Sequence, residues 1–148
     1  MQREFPDWPV VGVGVVVWQD DRVLLIQRGK PPRQGHWSLP GGAQELGETV
    51  AEAARREVGE ETGIVISQPL LVDVVDSLHR ADDDRVQYHY TLVDFTADWE
   101  AGEAKAGGDA ADVVWAEMAA LDAYSLWPET IRIIRKAAEI RARNRRHL

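Results

Sequence analysis

Three glutamates, Glu57, Glu60 and Glu61, follow Arg56 at spacings that a helix would place on one face, because positions i, i+3 and i+4 are neighbours there. Like charges at that spacing cost ~0.2–0.5 kcal/mol per pair. Glu60 and Glu61 would also lie in the last helical turn, where the helix dipole disfavours anions. A helix built against its own electrostatics needs a compensating cation, and clustered carboxylate oxygens suit a hard divalent ion such as Mg²⁺ or Mn²⁺. Taken alone, the same E-x-x-E-E spacing is more often a solvated acidic face than a metal site.

The segment that carries these residues, 48–62, is rich in Ala, Glu and Arg, all good helix formers, and Gly63 is placed as a left-handed C-terminal stop. Val50, Ala53, Ala54 and Val58 fall near helical spacing and predict a core-facing stripe. Ahead of it, residues 10–18 read as a buried Val-rich strand in which Gly12 and Gly14 allow close approach. A turn at Gln19-Asp20-Asp21 and a second strand over 23–28 suggest a hairpin. Residues 29–35 form a Gly- and Pro-rich loop, and Trp37-Ser38-Leu39-Pro40 leads from it to the helix. Downstream, 64–66, 70–75, 86–96 and 113–115 are strand candidates, 97–111 reads as a loop, and a terminal helix begins with Pro128 at its first position and runs to about Asn144. In that last helix Ile131, Ile134 and Ala138 predict core packing, and its Arg and Lys residues predict a solvated face.

The chain has 148 residues, which is one domain's worth, and enough to bury a core without disulfides; there are no cysteines. The first residues lack the basic start and apolar run of a signal peptide, and residues 10–18, the longest apolar stretch, are too short to span a membrane. The expectation is a cytoplasmic protein with no membrane partner. A net charge of −8 argues against a nonspecific binder of nucleic-acid polymers. It does not argue against small phosphates, because a bound metal ion inverts the local field. A homodimer stays within what these features allow.

Residues 42–64 match, at all nine fixed positions, the pattern G-x5-E-x7-R-E-U-x-E-E-x-G-U, where U is a bulky aliphatic: Gly42, Glu48, Arg56, Glu57, Val58, Glu60, Glu61, Gly63 and Ile64. The stretch resembles the box of the Nudix hydrolases, and the likeness extends to G-H-W-S-L-P-G-G just before it. The resemblance implies an α/β fold, a Nudix-type α/β/α sandwich around a mixed sheet, with the box as loop-helix-loop. It implies hydrolysis of a pyrophosphate bond in a nucleoside diphosphate linked to another group, with Mg²⁺ or Mn²⁺ as cofactor. Glu57, Glu60 and Glu61 would then be metal ligands, with a carbonyl from Gly41–Gly42, and in some relatives the residue at Glu57 also orients or deprotonates the attacking water. Arg56 and Glu48 would form the ion pair that holds the box loop against the helix.

Outside the box, Arg28 and Arg33 flank the preceding loop, where they would reach substrate phosphates or simply be solvated. Tyr88 would be a wall of the nucleotide site or an ordinary strand residue, and Trp37 a stacking platform or, more often at such a turn, a packing anchor. His36, His79 and His89 have no metal-like spacing. Asp109, on the loop where many relatives supply a further acid, is a candidate fourth ligand or catalytic base, with Asp112 and Glu103 as competitors. The runs R-V-Q-Y-H-Y-T-L-V-D-F and A-G-G-D-A-A-D-V-V-W resemble short bacterial members described as ADP-ribose pyrophosphatases, many of which carry an acid where this chain has Gly108. The proline that marks one ADP-ribose subgroup is missing near His79-Arg80-Ala81, as is the tyrosine of dinucleoside polyphosphate hydrolases. ADP-ribose is the leading substrate, ahead of ordinary or oxidised nucleoside triphosphates. A Nudix-fold sensor that binds without cleaving would be expected to lose one of the helix carboxylates, and this chain keeps all three.

Overall fold

A computed structural model of the chain describes residues 3–31 and 33–146; Pro32, within the expected loop, lies outside them. The elements run β1 (Val10–Gln19), β2 (Arg22–Arg28), β3 (Trp37–Ser38), β4 (Gly41–Ala43), α1 (Val50–Thr62), β5 (Val65–Ile66), β6 (Leu70–Arg80), β7 (Val86–Ala101), β8 (Ala110–Glu117), a 3-10 helix (Met118–Tyr124) and α2 (Pro128–Arg146). The strands form one mixed eight-stranded sheet. At its centre β1 runs parallel to β7, with Val10 opposite Tyr90 and Trp18 opposite Asp98.

The expected hairpin is present, but β1 and β2 pair only beside their turn, at Trp18–Val23 and Gln19–Arg22. Beyond that point the two strands splay. The same edge of β1 then takes β4, antiparallel, at Gly12–Ala43, Val13–Gly42 and Gly14–Gly41. A two-residue strand and a three-residue strand thus lie where the sequence suggests only a lead-in to the helix. Their pairing comes from the gap in the sheet rather than from local propensity.

Alternation along β1 divides the core in two. Val13, Val15 and Val17 pack with Ala53, Ala54 and Val58 of α1, whereas Val16 and Trp18 pack with Ile133, Ile134 and Ala137 of α2. The predicted stripe of α1 is therefore the buried one, and the α/β/α layering follows from one helix on each face of the sheet. Thr49 caps α1 in a capping box with Glu52, and Gly63 ends it at φ 73°.

Two expectations need correcting. Residues 97–101 and 110–111 are strand, not loop, because the end of β7 pairs with β5 at Ile66–Trp99 and Val65–Ala101 and the start of β8 pairs with β2 at Arg28–Ala110. The basic residues of α2 are also more than a solvated face. Arg132 and Lys136 pair with Asp73 at 3.1 and 3.2 Å. The Arg141 guanidinium lies 5.0 Å from the centre of the Trp18 ring.

Candidate active site

Arg56 organises the box. Its Nε and Nη2 donate to the two oxygens of Glu48 at 3.0 and 2.7 Å, and Nη2 also reaches the Ala43 carbonyl at 3.0 Å. Its Nη1 donates to Glu57 Oε1 at 2.8 Å and to Glu60 Oε2 at 3.3 Å. One guanidinium thereby ties β4, the loop and α1 together, using the planar fork that lysine lacks. The bonds from Arg56 and the Glu45 amide hold the Glu48 carboxyl below its usual range.

Glu61 turns the other way. Only 6% exposed, it accepts the Gly41 amide at 2.7 Å, and burial pushes it up to about 7 against the pull of that bond. Burial also raises Glu57, offset by Arg56. The strand register explains why Gly41 is available: Val15 N–H donates to Pro40 and Gln44 N–H to Val11, so Gly41 occupies a non-hydrogen-bonded pair and points its N–H and C=O away from β1. Gly42 has its own reason to be glycine. A Cβ there would lie 2.5 Å from Cδ of Glu57.

The expected convergence of Glu57, Glu60 and Glu61 is not what the side chains adopt. Arg56 draws Glu57 and Glu60 to itself while Glu61 goes to Gly41, and among the described residues no three His, Cys, Asp or Glu side chains form a ready-made metal cluster. The donor set nevertheless suits a hard divalent cation. It is all oxygen, and Glu57 and Glu61 are both held above their ordinary range by burial, so a cation beside them would relieve an electrostatic deficit.

On the α2 side of the sheet lies a cleft of about 690 Å³, a size suited to a small ligand. Gly41, Gly42 and Ala43 line this cleft, and the same two glycines meet the box glutamates, Gly41 through its amide to Glu61 and Gly42 against the Glu57 carboxyl. Arg28, Arg33 and Tyr88 all line this cleft, as do His36, His79 and Trp37. The Tyr88 hydroxyl donates to Glu4 at 2.9 Å. Trp37 is also a packing anchor, edge-on to Tyr124 at 5.3 Å between ring centres. Asp109 does not line the cleft. It pairs with Lys30 at 3.0 Å, and that contact lowers its carboxyl below the ordinary range. Its loop is nonetheless fastened to the end of α1, where Gly107 N–H donates to the Glu61 carbonyl at 3.0 Å. Asp112 instead caps the amide of Val113.

Sequence reasoning passed over one wall residue, Asp94, in the middle of β7. It is 7% exposed, faces the cleft, and is pushed up to about 7 by burial and by Asp73. The available signal was an acid at an inward position of a Val-Asp-Phe strand.

A family model described as the NUDIX domain matches residues 8–137. The chain belongs to the Nudix family. Among curated relatives, an ADP-ribose pyrophosphatase of Methanocaldococcus jannaschii is 40% identical over 102 residues, which is 69% of this chain but only 58% of the relative's length. Among solved structures, a MutT NUDIX hydrolase from Burkholderia pseudomallei superposes with a TM-score of 0.76 at 30% identity, covering 88% of this Nudix chain and 98% of the other. The NUDIX domain of Shewanella oneidensis NrtR, complexed with ADP ribose, has the same fold at 23% identity, with a TM-score of 0.75 and coverage of 90% and 89%.

Proposed function

We propose that this Nudix chain hydrolyses the pyrophosphate bond of a nucleoside diphosphate linked to a second group, with ADP-ribose cut to AMP and ribose 5-phosphate. The carrying observation is β4. Its Gly41 and Gly42 face a nucleotide-sized cleft lined by Arg28 and Arg33, and directly behind them stand the carboxyls of Glu61 and Glu57. The archaeal relative named ADP-ribose pyrophosphatase and the ADP-ribose complex of the NrtR domain support the choice of substrate.

In the reaction a water oxygen bonds to one phosphorus, the bridging P–O bond breaks, and the departing phosphate keeps the electron pair. Arg28 and Arg33 would bind the diphosphate. Glu57, Glu60, Glu61 and the Gly41 carbonyl would hold Mg²⁺ or Mn²⁺, and the bound ion would neutralise the phosphates and acidify the water. Glu57 or Glu61 would take the water's proton, Arg56 would fix Glu57 through its hydrogen bond, and Asp109 would be a further acid at the edge of the box. Burial raises the Glu57 and Glu61 carboxyls in the metal-free chain, and a bound cation would offset that rise.

The test is a panel of ADP-ribose and nucleoside triphosphates, including 8-oxo-dGTP, with and without Mg²⁺ or Mn²⁺ and with products identified by mass. ADP-ribose should show the highest kcat/KM, and Glu57→Gln or Glu61→Gln should lower kcat by roughly 10²–10³-fold, in the range of losing one preorganised charge-stabilising group. Undiminished turnover in chelator would sink the metal-dependent reading. A triphosphate that beats ADP-ribose tenfold would reassign the substrate alone.

A further inference from the structure

Asp94 is 7% exposed in the floor of the cleft and its carboxyl makes no hydrogen bond to any described residue; since no fully buried side-chain oxygen among those residues lacks a partner, the Asp94 oxygens open into the cleft. The backbone opposite is shaped around it. Asp94 sits beside Gly14 of β1 in the parallel register, and a Cβ on Gly14 would lie 2.6 Å from Asp94 Oδ1. A glycine between Val13 and Val15, in a strand where branched residues fit best, thus leaves room for one carboxylate oxygen.

The surroundings give no structural partner either. The charged groups that act on Asp94 are Asp73 on β6 and Arg132 and Glu129 on α2. The cations there are taken: Arg132 bonds Glu129 and Asp73, and Lys136 bonds Asp73. Leu39, Val75, Leu92 and Ile133 line the same cleft and give it apolar walls, interrupted by Ser77, Tyr90 and Thr130. The apolar side chains beside the Asp94 carboxyl fit a flat heteroaromatic ring that presents an N–H donor, and the carboxyl disfavours a phosphate there by like-charge repulsion, which leaves the diphosphate to Arg28 and Arg33 of the same cleft.

We propose that Asp94 selects the nucleobase, its carboxylate accepting a hydrogen bond from the exocyclic amine of adenine. This rests on the reading of the cleft as a nucleotide site. Hypoxanthine presents a carbonyl at the same position, and two acceptors facing each other repel. Asp94 therefore discriminates adenine from hypoxanthine and sets which way round the nucleotide lies. Burial holds the carboxyl at about 7, so pH 8 favours its ionised, accepting form.

Calorimetric titration of the full chain with AMP and with IMP, in Mg²⁺ at pH 8, tests this directly. The wild type should bind AMP roughly 10–100-fold more tightly than IMP, the span expected for one hydrogen bond to a charged acceptor. Asp94→Asn, near-isosteric and able to donate as well as accept, should bring the two within about threefold. Gly14→Ala, which pushes the carboxyl aside, should also erode the preference and serves if the first variant does not fold. Equal affinity of the wild type for AMP and IMP, failure to bind AMP, or a preference untouched in Asp94→Asn would each overturn the assignment. Activity separates this from the broader reading. A wild type that hydrolyses nucleotides without preferring AMP keeps the hydrolase and loses Asp94's role, whereas an inactive wild type whose AMP preference vanishes in Asp94→Asn does the reverse.

Discussion

Arg56 shows how one side chain can matter to stability and to chemistry at once. Its guanidinium is mostly buried, with a side-chain exposure of 21%, and it serves Glu48, Glu57, Glu60 and the Ala43 carbonyl together. Removing it leaves Glu48 and Glu57 as partly buried anions without their cation. Arg56→Ala should therefore lower stability by ~2–3 kcal/mol, between the values for exposed and fully buried pairs, as well as turnover. Urea unfolding monitored by tryptophan fluorescence measures the first quantity. An unchanged midpoint with lost activity would mean that Arg56 touches substrate instead of holding the box. Arg56→Lys should recover only part of either effect, because an ammonium cannot present a fork to Glu48 while reaching Ala43.

At the scale of the element, two glycines in or facing α1 make opposite predictions. Gly42 on β4 is closed to any side chain by the Glu57 carboxyl, so Gly42→Ala should displace that carboxyl and lose activity. Gly59, inside α1, has nothing within 4 Å of where its Cβ would be. Gly59→Ala should raise stability by ~0.5–1 kcal/mol with kcat unchanged, a contrast that thermal melts and steady-state rates would expose. The box helix was legible in the sequence almost to the residue: Val50, Ala53, Ala54 and Val58 are its inner stripe and Gly63 its left-handed stop. The paired strands β3 and β4 were not, because they exist only through the splay of β1 from β2, a feature of tertiary register. For the same reason the end of β7 escaped notice, its last residues being strand only by virtue of β5. Within the candidate site, spacing pointed to Glu57, Glu60 and Glu61 converging on one face, whereas Arg56 draws Glu57 and Glu60 to itself and the Gly41 amide takes Glu61. Asp94 was hidden for a simpler reason: a lone acid in an apolar strand has no motif around it, and its meaning comes from Gly14, eighty residues earlier and adjacent in space.

For the molecule as a whole, Asp94 links stability to pH. An unfolded chain releases that proton near the ordinary 3.8, while burial and Asp73 keep it on the folded protein up to about 7. Between those values the native state binds more protons, so stability falls as pH rises through this window and levels off above it. Glu61 falls in the same window and slopes the same way, so the informative quantity is a difference. In metal-free buffer Asp94→Asn should match the wild type near pH 4 and exceed it at pH 8 by on the order of 2–4 kcal/mol. Denaturation midpoints across pH 4–8 measure this, and parallel curves for the two proteins would show that the carboxyl is not destabilised by burial.

Folding time adds a different constraint. The middle of the sheet joins β1 to β7, and the bond from the Thr96 hydroxyl to the Val16 carbonyl spans 80 residues. Local turns and helices form in microseconds, but a parallel pairing at that separation must wait for a long loop to close. Until then the uncharged run from Val10 to Trp18 has its edges unpaired, and such segments invite pairing between chains. Gly12 and Gly14 interrupt it. The glycines that open the cleft floor therefore also weaken the chain's most aggregation-prone strand while the sheet is incomplete, and Gly14→Val should lower the yield of refolded monomer at high protein concentration.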